Sequence, residues 1–99
     1  MALNIQLWLD GALVDGLETD WEDVERLLSK SDELTTILDS VDPYDDLTVN
    51  GAQLIELVRE CEMVIPRAVG EAAKTLSKLV TLAEAGLEAN RAELRFVGD

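Results

Sequence analysis

Residues 3 to 9, Leu3-Asn4-Ile5-Gln6-Leu7-Trp8-Leu9, alternate with period two. Leu3, Ile5, Leu7 and Leu9 fall on one face and Asn4, Gln6 and Trp8 on the other, the pattern of a half-buried strand. Asp10-Gly11 follows, a dipeptide that accepts positive φ at both centres of a type I′ turn. Ala12-Leu13-Val14 should return alongside, with Trp8 opposite Leu13 and Leu7 opposite Val14.

The period then changes. Trp21, Val24, Leu27 and Leu28 recur at helical spacing after Thr19-Asp20-Trp21-Glu22, which matches a capping box. Acids in the first turn and Arg26 and Lys30 near the end suit the helix dipole, so a helix is predicted over about 20–30. Ser31-Asp32 can cap a second short turn carrying Leu34, Ile37, Leu38 and Val41, although the β-branched pair Thr35-Thr36 weakens it. Asp42-Pro43-Tyr44-Asp45 reads as a type I turn. Asn50, with Gln53 in the box position, caps a helix whose stripe is Leu54, Leu57, Val58, Cys61, Val64 and Ile65. Pro66 is expected to open the next helix, striped by Val69, Ala72, Ala73, Leu76, Leu79, Val80 and Ala83, and Gly86 to end it. Ala92-Glu93-Leu94-Arg95-Phe96-Val97 alternates again and should lie beside Leu3–Leu9. These elements predict one α+β domain over residues 1–99. A small antiparallel sheet, the N-terminal hairpin plus the C-terminal strand, carries about three helices packed on one face.

Val41-Asp42-Pro43-Tyr44-Asp45-Asp46-Leu47-Thr48-Val49-Asn50-Gly51-Ala52-Gln53 and the ending Leu94-Arg95-Phe96-Val97-Gly98-Asp99 together resemble a known pattern. It occurs in short uncharacterised bacterial proteins, chiefly of high-GC Gram-positive genomes, reading V-D-P-Y-G-D-T-V-F-N-x-x-Q and ending L-R-F-x-G-D. Asp45 here replaces its glycine and Val49 its phenylalanine. The resemblance implies a compact bacterial domain and assigns no function.

Composition narrows the chemistry. The chain is 47% hydrophobic, enough for one small core. There is no histidine, so the commonest general base and the imidazole metal ligands are missing. Cys61, the single cysteine, forbids an internal disulfide, fits a reducing cytoplasm, and on its apolar stripe reads as a small buried hydrophobe. Asp39, Asp42, Asp45 and Asp46 are dense, but Pro43 and Tyr44 break the alternation of a calcium loop and its central glycine is missing. No nucleophile-elbow serine appears. The expectation is a non-enzymatic protein with no cofactor and no metal. No apolar run approaches a membrane span.

Charge is the one strong functional signal. The first 46 residues hold 13 of the 21 acids against only Arg26 and Lys30, so that half carries −11 of a net −13. Crowded like charge destabilises a compact state, so the excess points to a cationic partner. A direct nucleic-acid or anionic-lipid ligand is disfavoured, since both require Lys and Arg at the contact. The expected function is a small acidic cytoplasmic protein that inhibits or regulates a basic partner protein, as toxin-immunity and antitoxin-like proteins do. The expected contact residues are Glu18, Glu22, Asp23, Asp42, Asp45 and Asp46, with Tyr44 and Trp8 as aromatic anchors. Trp8 serves that role only if neither helix nor loop covers it. Two alternatives stand beside this: a nucleic-acid mimic that blocks a DNA-binding protein, and a scaffold subunit whose acidity is incidental.

Overall fold

The computed structural model describes residues 2–89 and 91–98. Strands β1 (Ala2–Leu9), β2 (Ala12–Asp20), β3 (Leu47–Asn50) and β4 (Ala92–Val97) form one antiparallel sheet in the order β2-β1-β4-β3. Helices α1 (Glu22–Ser29), α2 (Thr36–Asp39), α3 (Ala52–Val64) and α4 (Gly70–Leu87) complete an α+β fold, with a 3₁₀ turn at Ile65–Arg67. No helix of the described residues is long and apolar enough to cross a membrane.

Alternation decides which face of the sheet is buried. Leu3, Ile5 and Leu7 of β1, Val49 of β3, and Leu94 and Phe96 of β4 are buried and join Leu54, Leu57, Cys61, Val64, Leu76, Leu79, Leu82 and Ala83 from α3 and α4 in one core. Trp21 closes that core, meeting Phe96 edge-on at 6.3 Å between ring centroids. The opposite face carries Asn4, Gln6, Trp8, Glu93, Arg95 and Val97, all exposed or half-buried. A sheet covered on one side only has that pattern.

The first hairpin turns as predicted, with φ of 50° at Asp10 and 83° at Gly11, and Trp8 lies opposite Leu13. A bulge then shifts the register, so Leu7 faces Asp15 rather than Val14. β2 is also longer than expected and continues to Asp20, which displaces the predicted capping box. Thr19 lies in the strand with its hydroxyl 3.0 Å from that of Thr75, and the Asp20 carboxylate instead accepts the Glu22 N–H at 3.2 Å.

Three other expectations are corrected. Asn50 belongs to β3, an unpredicted fourth strand, and Gly51 occupies the cap position of α3; the Gln53 carboxamide still accepts the Asn50 N–H at 3.3 Å, one half of a capping box. Pro66 sits in the 3₁₀ turn, and extended Ala68 and Val69 redirect the chain before α4 begins at Gly70. Gly86 lies inside α4. It is buried where an added Cβ would meet Ala92 at 3.3 Å and Leu54 and Leu7 at 3.4 Å, so its role is close helix–sheet approach.

Segment 31–46 is tied to α3 by a buried polar side chain. Glu60 of α3 is 0% exposed, and its carboxylate accepts the N–H groups of Ile37 and Leu38, each at 3.0 Å, at the start of α2. That interaction satisfies orphan helix donors and compensates the buried carboxylate. Leu38 is thereby seated in the core, whereas Leu34, expected on the same stripe, is 76% exposed.

Candidate acidic interaction surface

The predicted contact residues fall into three groups. Glu18 leaves the β2 edge, while Glu22 and Asp23 start α1. These three border a cleft of about 390 Å³ whose other wall is α4, with Thr75 at its base. Lys74 and Lys78 project from that wall. Lys78 lies 3.4 Å from Asp15, Lys74 lies 3.5 Å from Glu71, and Asp23 pairs with Arg26. Among the described residues, only the Lys78–Asp15 pair answers an acid of the first half with a lysine of the second, a contact that adjacency in sequence does not show. These pairs are solvent-exposed and individually weak.

Asp42, Tyr44, Asp45 and Asp46 form the second group, and their carboxylates shape the turn. The Asp42 carboxylate accepts the Tyr44 N–H at 2.9 Å, and its carbonyl accepts the Asp45 N–H at 3.1 Å. Asp45 accepts the Asp46 N–H at 2.8 Å, and Asp46 accepts the Gly98 N–H at 3.0 Å. A Cβ on Gly98 would run into the Asp45 nitrogen and lie 2.7 Å from the Pro43 oxygen, so only glycine lets the end of β4 rest on this turn. The two segments that carry the sequence resemblance therefore meet in space. Tyr44 is 67% exposed, and no three acids or thiols among the described residues gather as a metal site.

Trp8 forms the third group, on the open sheet face. Its indole N–H donates to the Gln6 carboxamide at 3.0 Å, and the Arg95 guanidinium stacks over the ring at 4.1 Å from its centroid. Arg95 is braced in turn by Glu93, at 2.6 Å from Nε. Trp8 is half-buried, and an arginine of its own sheet face lies over its ring. Sequence reasoning missed Arg95, although its outward position follows from the alternation of residues 92–97.

Among the titratable groups that depart from ordinary behaviour, the exposed Glu56–Arg59 pair shifts through its own hydrogen bond, and Asp15 and Cys61 shift through the fold. The Gly16 N–H, at 2.7 Å, and then Lys78 hold the Asp15 carboxyl below its usual value. Burial, with Glu60 and Glu62 adding to it, pushes the Cys61 thiol up to about 12. A thiol so placed stays protonated and is a poor nucleophile. Comparison with protein-family models, curated proteins and solved structures yields no match for this chain.

Proposed function

We propose that this protein binds a basic partner protein and inhibits or regulates it by electrostatic steering and steric occlusion. The observation that supports this reading is the concentration of −11 in residues 1–46, most of whose carboxylates stand in solvent on the β2 edge, the start of α1 and the 42–46 turn. Carboxylates placed so steer a Lys/Arg-rich surface into contact, speeding encounter by roughly 10–10³-fold at low salt. Lys74, Lys78 and Arg26 interrupt the acids. That favours a protein partner over mimicry of a nucleic acid, which calls for an unbroken array of negative charge.

Affinity capture from a host lysate at low and at physiological salt, with mass-spectrometric identification, tests the reading. The expected result is one basic protein, recovered in amounts that fall as salt rises. A family of DNA-binding proteins would replace this reading with mimicry. Nothing salt-sensitive would contradict it and favour a scaffold role.

A further inference from the structure

We infer that the docking surface is the open outer face of the sheet, and that its occupant is a basic segment of the partner. That segment sets an apolar side chain on the Trp8–Leu13 patch and Lys or Arg side chains on the acidic row at the opposite end. The assignment presupposes the basic partner proposed above and specifies where and how it sits.

The face is divided in two along the strands. At the hairpin end, Leu13 lies directly opposite Trp8 and is 52% exposed, and the neighbouring bulge residue Val14 is 53% exposed. Neighbouring apolar side chains left in water on a sheet face mark an interaction site more often than isolated ones do. From Trp8 the outward positions of β1 run through Gln6 to Asn4. Asn4 lies in register between Glu18 on β2 and Val97 on β4. Asp20 stands one outward position beyond Glu18, and the Gly98–Asp46 hydrogen bond sets Asp46 at the same end. Four residues of strand separate the apolar patch from this acidic row, about 13 Å.

The anchor is already organised. Gln6 satisfies the Trp8 indole N–H, Arg95 stacks on the ring and Glu93 braces Arg95. A partner contacting this array has little side-chain freedom left to freeze, and Trp and Arg are the residue types that dominate interface energetics.

Charge selects the occupant. A second copy would bring another −13 to a row already negative, which opposes self-association. Strand addition at the free edge of β2 is opposed as well. The Asp15 carboxylate takes up the Gly16 N–H there, and a bulge lies between Leu7 and Trp8, both devices that blunt sheet edges. The segment therefore lies across the face.

Titration of ¹⁵N-labelled protein with two unlabelled peptides, Ac-LWGSGKRK-NH2 and Ac-GSGSGKRK-NH2, tests this at low salt. The first should shift the Trp8 indole resonance and the amides of Gln6, Arg95 and Val97, leaving the indole of Trp21 in the core unmoved. Leu13→Ser, at an exposed position safe for folding, should weaken the first peptide by about tenfold and leave the second unchanged. Shifts confined to Thr19, Glu22 and Glu71 around the α4 cleft, or an unaltered affinity in the Leu13→Ser variant, would overturn the docking surface but not the basic partner. No shift from either peptide at millimolar concentration would overturn both.

Discussion

Gly98 shows how a single hydrogen atom in place of a methyl group joins two distant segments. Gly98→Ala would drive a Cβ into backbone atoms of the 43–45 turn, and backbone cannot swing aside as a flexible side chain does. The expected cost is about 1–3 kcal/mol, read from chemical denaturation; a loss below about 0.5 kcal/mol would mean the turn relaxes freely. Glu60→Ala should cost about 1–3 kcal/mol, because it leaves the buried Ile37 and Leu38 N–H groups without their acceptor. Wild-type stability in that variant would show that water replaces the carboxylate. Asp15 gives a pH signature. Its folded-state carboxyl titrates below the usual 3.8, so its contribution is complete above that value and is lost as pH falls through the lower, folded one. The stability difference between wild type and Asp15→Asn should thus be constant near neutrality and shrink below about pH 3.8. A gap that persists at pH 2 would assign the effect to packing. The part of this legible in the sequence is uneven. Glu60 shares the face of Leu57, Cys61 and Val64, so its inward direction could be read from spacing, but its partners 22 and 23 residues away could not.

Long elements with one strong period were readable at the scale of the element, and short ones were not. β1, the Asp10-Gly11 turn, α1, α3, α4 and β4 all follow from alternation or helical spacing. β3 has four residues, Leu47–Asn50, too few for a period to register, and its last residue imitates a helix cap. The second half of β2 holds Asp15, Gly16, Glu18 and Asp20, poor strand formers individually; pairing with β1 outweighs their propensity. Gly86 looked like a terminator because glycine usually is one in that setting, whereas here contact with Ala92, Leu54 and Leu7 sets its identity. α4 supplies the firmest test of the core. Leu76 is fully buried, and Leu76→Ala should destabilise by about 2–5 kcal/mol in denaturant titration. A loss under 1 kcal/mol would show that the stripe does not carry the packing.

Across the whole molecule, the fold brings acids of β2 and α1 to one place, and composition alone could not show that. The count of acids was plain in the sequence, and Glu18, Glu22 and Asp23 do assemble at one cleft. Their opposition to Lys74 and Lys78 depends on α4 crossing behind β2, a tertiary fact. The central claim is that the acids act by steering, and association kinetics test it most directly. The comparison sets wild type beside a variant in which Glu22 becomes Gln and Asp23, Asp45 and Asp46 become Asn, with stopped-flow binding to the captured basic partner across a salt series. Asn keeps the acceptor oxygens that the turn requires, so the fold should stay intact. The wild-type on-rate should drop steeply from low to physiological salt, and the variant should associate more slowly with a shallower salt dependence and a nearly unchanged off-rate. Equal on-rates at low salt would contradict the account and reduce the acidic surface to a means of solvation.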